Sequence, residues 1–221
     1  MLETDKWMDE FKEKLAGFFG ERLLYLGLQG SRRRGEADEN SDIDLVVVLD
    51  KLAPADLDAY KKIVLTMPEA GKVCGFISGR TELANWPKYE IFQFTNDTKD
   101  YFGKLKDFAP TVSDEDIKYF VKISAANLYH GLCHERLFSD ILNNREMLKA
   151  FYKPAYFVLS NVHYLRTRHY PGSKKELSGL LKGDDLKVLQ TSEQLRTNPP
   201  ADLNAAYELL LNWSRDLLVN F

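Results

Sequence analysis

The sequence YLGLQGSRRRGEADENSDIDLVVVLD, from Tyr25 to Asp50, decides the fold of the first half of this 221-residue chain. Its first part, Tyr25 to Leu28, is a short apolar run with the length of a buried strand. Gly30 to Asn40 carries glycine, arginine and acidic residues and is typical of a loop. From Ser41 to Leu49 the pattern first alternates and then becomes continuously apolar, which predicts a second buried strand.

Two acidic residues open this second strand. Asp42 and Asp44 are separated by one residue, so alternation along a strand directs both carboxylates to the same face of the sheet. Two carboxylates that close repel each other, and the valines behind them add a desolvation cost. A divalent cation with oxygen ligands relieves this repulsion, and Mg²⁺ is the cation we expect. The pair therefore predicts a metal site formed by Asp42 and Asp44.

The loop before these acids has the composition of a phosphate site. Gly30 allows a phosphate to approach the backbone closely, Ser31 adds a hydroxyl, and the arginines at positions 32–34 supply forked donors. A helix that begins near Ser31 would also direct backbone N–H groups at an anion. Loop and strand together predict a nucleotide site.

The same residues resemble the signature of the polymerase-β-like nucleotidyltransferase superfamily. The matching segments are Gly30-Ser31, Arg34-Gly35-Glu36-Ala37 and Ser41-Asp42-Ile43-Asp44-Leu45. The alternative is an ordinary strand–loop–strand with a capping Ser-Asp pair, but that alternative explains neither the two acids on an apolar strand nor the glycine–serine turn.

The resemblance implies a catalytic role for the two acids and transfer of a nucleoside monophosphate, AMP from ATP being the expected case. Asp42 and Asp44 would hold the metal. The residues expected to bind the nucleotide are Gly30, Ser31, Arg34 and Ser41.

In that superfamily a third carboxylate takes the proton of the attacking hydroxyl or binds metal. In the next predicted strand, Lys72 to Ser78, the expected position holds Cys74 and Gly75. The nearest acids are Glu90, in the run YEIFQF that is predicted as a strand, and Glu82 in the loop before it. Glu90 is the preferred catalytic acid because a carboxylate in an apolar, aromatic run is costly unless it is paired or metal-bound. If neither acid reaches the metal, the domain would only bind nucleotide.

The stretch from Asn96 to Asp107 is charged and rich in turn residues. Asp97 and Asp100 are interpreted as turn or cap residues. After this stretch, FAPTV interrupts the pattern and indicates a boundary between a nucleotidyltransferase domain at 1–108 and a helical C-terminal domain at 109–221.

The C-terminal half predicts helices throughout. Ser113, with Asp116 three residues later, predicts a helix start. A second helix is expected from Leu137 to Asn161 with a kink or break at Pro154, and the Pro199-Pro200 pair predicts a further break. The fold class expected is therefore α+β, with a small mixed sheet and helices followed by an all-α bundle, and a cleft between the domains that holds nucleotide and acceptor.

One C-terminal segment, Asn161 to Leu181, resembles the aminoglycoside (streptomycin/spectinomycin-type) adenylyltransferases. The residues that carry this resemblance are Arg166, Gly172, Ser173 and Lys174. It implies that Lys174 meets the triphosphate as a point charge. The alternative is that Ser173 is a helix cap followed by solvent-exposed lysines.

Composition restricts the partners. The net charge of −3 argues against a general nucleic-acid binder, and no apolar run has transmembrane length. The two cysteines predict no disulfide framework, and together with the absence of a signal-peptide pattern they favour a cytoplasmic protein.

The predicted function is Mg²⁺-dependent transfer of AMP from ATP to a hydroxyl of a small acceptor, such as an aminoglycoside, or of a protein. The alternative is a non-catalytic nucleotide-binding or regulatory protein that kept the fold but lost the third carboxylate.

Overall fold

The computed structural model describes residues 2–197 and 202–221, which form two compact units. The first unit ends at Thr111 and the second begins at Val112. This division falls in the same irregular stretch as the boundary predicted after residue 108. The break predicted at Pro199-Pro200 lies outside the described residues.

The first unit combines a four-stranded sheet with helices on both of its faces. Its elements, in chain order, are α1 (Thr4–Phe19), β1 (Leu23–Gln29), α2 (Gly30–Arg34), β2 (Ile43–Leu49), α3 (Pro54–Leu65), β3 (Val73–Gly79), α4 (Arg80–Ala84), α5 (Lys88–Asn96) and β4 (Lys99–Phe102). The strand order is β3-β2-β1-β4. Strand β2 is antiparallel to β1 and parallel to β3, and β4 is antiparallel to β1. The predicted small mixed sheet is confirmed.

Strand β2 has two different faces. Ile43, Leu45, Val47 and Leu49 are fully buried in a core that α1 and α3 complete. Each such side chain contributes roughly 1.5–3 kcal/mol through burial. Because side chains alternate along a strand, the opposite face carries Asp44. The apolar residues of β2 therefore anchor the strand that presents the acid.

The prediction of a strand for YEIFQF is wrong. This run lies in helix α5, and the fourth strand is the later segment Lys99–Phe102, which was expected to be turns. Pro87 stands at the N-cap of α5, and the Trp86 indole donates a hydrogen bond to Glu90 four residues later. The apolar residues in this run of six fit the spacing of a helix as well as that of a strand. The contacts at the start of α5 stabilise the helix.

The second unit is helical over its described residues, as expected. Its helices are α6 (Asp114–Phe138), α7 (Arg145–Tyr152), α8 (Ala155–Thr167), α9 (Lys174–Leu180), α10 (Gly183–Thr197) and α11 (Leu203–Asn220). Ser113 caps α6, since its hydroxyl accepts from the Asp116 N–H and its own N–H donates to the Asp116 carboxylate at 2.8 Å. In this unit and the first, every described helix is too short or too polar to cross a bilayer.

The second predicted helix, Leu137 to Asn161, is instead divided. Helix α7 begins only after Asn144, whose side chain accepts a hydrogen bond from the Met147 N–H at 3.0 Å. Helix α8 begins after Pro154, where the predicted break occurs. The asparagine cap and the proline therefore set the helix limits that apolar periodicity alone did not show.

Candidate functional site

The glycine–serine turn and the second acid are in direct contact. In the β1–β2 pairing, Gln29 lies opposite Asp44, and α2 begins at the next residue, Gly30. Gly30 has a φ of +73°, and a Cβ placed on it would overlap the Asp44 carboxylate. Only glycine combines this backbone conformation with this approach. The fold therefore brings together two parts of the predicted site that are fourteen residues apart in the sequence.

The two acids differ in exposure. Asp42 is exposed and immediately precedes β2, whereas Asp44 is half-buried within the strand. Arg32 fastens the turn to this strand start, because its Nε donates to the Asp42 carbonyl at 3.0 Å and its Nη2 to the Ser41 carbonyl at 2.7 Å. Arg32 thus contacts the backbone that presents the acids.

Arg34, which was predicted to bind nucleotide, has carboxylate partners. Its Nη1 donates to Asp97 Oδ2 at 2.6 Å and its Nε to Glu36 Oε2 at 2.9 Å. The Arg34 side chain is only 9% exposed and that of Asp97 only 5%. Neighbouring Arg33 donates to the Asn96 carbonyl at 2.8 Å. In the structure Arg34 therefore holds the turn to the end of α5, and its nucleotide contact stays a prediction.

Asp97 has more contacts than its interpretation as a turn or cap residue predicts. It follows the end of α5, as a cap residue would, but it is also the buried acid that faces Arg33 and Arg34. Burial raises the pKa of Asp97, an effect that the two arginines oppose. Burial alone would lower the pKa of Arg34, but Asp97 and Glu36 raise it. Two adjacent arginines beside a buried strand are compatible with a nearby acid, but no local pattern identifies Asp97 as that acid.

The Ser41 hydroxyl takes part in a local turn. It accepts from the Asp38 N–H at 2.9 Å and donates to Asp38 Oδ1 at 3.1 Å. The Asn40 N–H donates to the same carboxylate oxygen at 2.9 Å. This turn directs the chain into β2, so Ser41 has a structural role, and its predicted nucleotide contact is untested.

The strand register identifies the position beside Asp44. Cys74 of β3 pairs with Asp44 in the parallel ladder, and paired residues of parallel strands lie on the same face. The Cys74 side chain is exposed. A thiol therefore stands where the superfamily resemblance places a carboxylate.

The two candidate acids lie on helices α4 and α5. Glu82 in α4 has its carboxylate against Gly79, which pairs with Leu49 at the far end of β2 from Asp44. At about 3.3 Å per residue, that end is roughly 16 Å away. Glu90 is exposed on α5 and accepts from the Trp86 indole at 2.7 Å. Glu90 was preferred because it was predicted to lie in an apolar strand, and that placement is wrong.

The donors at the site suit a hard cation. Among the described residues, no group of three or more His, Cys, Asp or Glu side chains is placed to hold a metal ion. Mg²⁺ commonly takes one or two protein carboxylates and completes its shell with substrate phosphates and water. The Asp44 carboxylate beside Gly30, with Asp42 exposed at the same strand start, fits this type of site.

In the second unit, Lys174 is paired. Its Nζ donates to Glu193 Oε1 at 2.6 Å, and its side chain is largely buried. The Ser173 hydroxyl accepts from the Glu176 N–H at 3.2 Å, so Ser173 is the cap of α9. Arg166 contacts Asp185 at 2.7 Å. The cap alternative for Ser173 is therefore correct, and the triphosphate contact of Lys174 stays a prediction.

Comparison with protein families defines the class of the first unit. Residues 8–100 match the family model described as "Nucleotidyltransferase domain". Sheet, turn and acids all lie within this range or at its edge. Most of the first unit therefore matches a nucleotidyltransferase domain, the class that its motif predicted.

Two particular proteins are similar to the chain. The crystal structure of spectinomycin adenyltransferase AAD(9) from Enterococcus faecialis, with ATP and spectinomycin, matches with a TM-score of 0.58 and 12% identity, covering 97% of this chain and 98% of that one. At this identity the match shows a shared fold. A protein of Methanocaldococcus jannaschii, named as a candidate protein adenylyltransferase, MJ1305, is 41% identical over 54 residues, which are 24% of this chain and 37% of that protein. The chain thus spans little more than a third of that relative.

Proposed function

We propose that the protein is a Mg²⁺-dependent nucleotidyltransferase that moves AMP from ATP to a hydroxyl group. One observation carries the proposal: the Asp44 carboxylate lies against Gly30, so the metal-type acids and the phosphate-type turn form one site. The family match over residues 8–100 supports the same chemistry.

Each residue of the site has a proposed part. Asp42 and Asp44 would hold the ion, Gly30 lets the Asp44 carboxylate approach the turn closely, and Ser31 would offer a hydroxyl to a phosphate oxygen. When bound, Mg²⁺ would neutralise charge on the triphosphate and on the transferring phosphoryl group. Glu90 is our candidate for the acid that accepts the proton of the attacking hydroxyl.

The acceptor is proposed by class. The similar fold of spectinomycin adenyltransferase favours a small hydroxylated acceptor such as an aminoglycoside. The local similarity to the Methanocaldococcus protein favours a hydroxyl of a protein. The formal net charge of −3 does not distinguish a small-molecule acceptor from a protein acceptor, but it disfavours nucleic acid as the acceptor.

A second function is supported by a specific observation. Cys74 pairs with Asp44, so the neighbouring strand places no carboxylate beside it. A domain with two acids instead of three would bind a metal-bound nucleotide but transfer it slowly or not at all. The second candidate is therefore a nucleotide-binding or regulatory protein.

One experiment separates the two candidates. The protein is incubated with Mg²⁺ and α-labelled ATP or other nucleoside triphosphates, over a panel of aminoglycosides and a cell extract. Transfer of label that is lost in Asp42→Asn and kept in Asp50→Asn supports the enzyme, because Asp50 follows the other end of β2. Nucleotide binding without transfer to any acceptor supports the regulatory function. Absence of both binding and transfer contradicts the proposal.

A further inference from the structure

Residues 94–98, which we call the α5 terminus, receive side chains from the end of β1 and from α2. Gln29, the last residue of β1, donates from Nε2 to the Thr98 hydroxyl at 2.7 Å and to the Phe94 carbonyl at 3.2 Å. Arg33 and Arg34 reach the same segment, as described above. The two residues on which the nucleotide site depends, Gly30 and Ser31, lie between these attachment points.

Asp97 is the charged member of the α5 terminus. Its Oδ2 accepts from Arg34, and its Oδ1 lies 3.6 Å from Arg33 Nη1. This Oδ1 is buried and has no hydrogen-bond partner among the described residues. A buried ion pair with incomplete hydrogen bonding is weak evidence for a contribution to stability, because desolvation offsets its attraction. Fixing a specific geometry is the alternative role for such a pair.

We propose that Asp97 is a positioning residue that holds the Gly30–Ser31 turn against Asp44 through Arg33 and Arg34. The inference rests on the proposed function, because it assigns Asp97 to the same nucleotide site. It also assigns a different role to Arg33 and Arg34. Their charge is directed at the α5 terminus, so they shape the turn instead of meeting the triphosphate.

The test is Asp97→Asn, which keeps the shape of the side chain and removes its charge. We expect the affinity for a non-hydrolysable ATP analogue with Mg²⁺ to fall about 10- to 100-fold, the size of effect that a small misplacement of a binding group produces. We also expect faster hydrogen exchange at the Glu36 amide, which donates to the Ser31 carbonyl at 2.8 Å and reports the closure of the turn.

Asp56→Asn is the matched control. Asp56 is likewise a poorly exposed acid of the first unit that binds an arginine, Arg22, with contacts of 2.8 and 2.9 Å, but it lies in α3 near the far end of β2. Both variants are compared at a temperature at which circular dichroism shows them folded. Asp56→Asn should leave nucleotide affinity and exchange at the Glu36 amide within two-fold of the wild type.

A second variant covers the case in which Asp97→Asn does not fold. Arg34→Lys keeps the positive charge but cannot fork between Glu36 and Asp97, and it should show the same two changes to a smaller degree. Wild-type affinity and exchange in a folded Asp97→Asn or Arg34→Lys protein would overturn the inference. If the wild type binds no nucleotide, the proposed function fails, but exchange at the Glu36 amide still decides whether Asp97 holds the turn.

Discussion

The Asp44 carboxylate lies in the space that a Cβ on Gly30 would fill. This single relationship connects the turn after β1 with the acid on β2, and it explains why a glycine at this point is a structural requirement. Its φ of +73° adds a second reason, because L side chains rarely adopt that conformation.

Gly30→Ala should abolish or strongly reduce nucleotide binding, because the new methyl group displaces the Asp44 carboxylate. Gly35→Ala is the matched control, since Gly35 has a φ of +70° but open space around its Cβ position. Both variants should lose about 1 kcal/mol of unfolding free energy through backbone strain, and Gly30→Ala should lose more. Equal nucleotide affinities in the two variants would contradict the contact. Calorimetric titration with an ATP analogue and urea unfolding measure both quantities.

Cys74→Asp should raise the affinity for Mg²⁺ or Mn²⁺ by about ten-fold, because a third carboxylate would then stand beside Asp44 in the parallel ladder. The exposure of Cys74 makes the substitution tolerable for the fold. Cys74→Ser is the control and should leave metal affinity unchanged. An unchanged affinity in Cys74→Asp would show that the side chain at position 74 does not reach the metal. Titration with Mn²⁺ followed by electron paramagnetic resonance measures the free ion directly.

Glu90→Gln tests the proposed proton acceptor. If Glu90 accepts the proton of the acceptor hydroxyl, label transfer should fall about 100-fold or more. Trp86→Phe removes the hydrogen bond that Glu90 accepts and leaves the carboxylate in place, so transfer should stay within a few-fold of the wild type. If Glu90→Gln and Trp86→Phe lower label transfer by similarly small factors, Glu90 is not the proton acceptor. Single-turnover rates at saturating ATP give the comparison.

The Arg22–Asp56 pair should make the first unit sensitive to acid. The Arg22 hydrogen bonds, with help from the Ala53 N–H, lower the pKa of Asp56 to about 2 from its ordinary value of 3.8. Because the folded-state pKa is depressed, the stabilisation is complete above the ordinary value and is lost as pH falls through 2.

Melting temperatures between pH 5 and pH 2 measure this effect. The wild type should lose stability over that range more steeply than Asp56→Asn, which has no carboxyl group to protonate there. Parallel curves for the two proteins would show that the pair contributes nothing to the acid dependence.

Sequence patterns predicted the parts of the fold that depend on local chemistry. The apolar run of β2 predicts a buried strand wherever the chain places it, and Ser113 with Asp116 caps α6 through contacts three residues apart. Gly30 and Asp44 could be assigned to one site because both belong to the signature that resembles the superfamily. The helix α5 could not be separated from a strand, since its six central residues fit both periods.

The attachment of Arg34 to Asp97 could not be predicted from any local pattern. The two residues are 63 positions apart, and each has an ordinary interpretation of its own, a phosphate donor and a helix cap. Only the packing of α5 beside the turn shows that they neutralise each other. Similarly, the register that pairs Cys74 with Asp44 depends on the parallel alignment of β2 and β3, which the sequence does not state.

Strand β2 has hydrogen-bonded neighbours on both sides, β1 and β3. A segment enclosed in this way opens only when the whole sheet melts, so its amides, like those of the other central strand β1, should be among the slowest in the first unit to exchange with solvent. Warming should therefore leave the acid beside Gly30 in place up to a single cooperative melting transition of this unit.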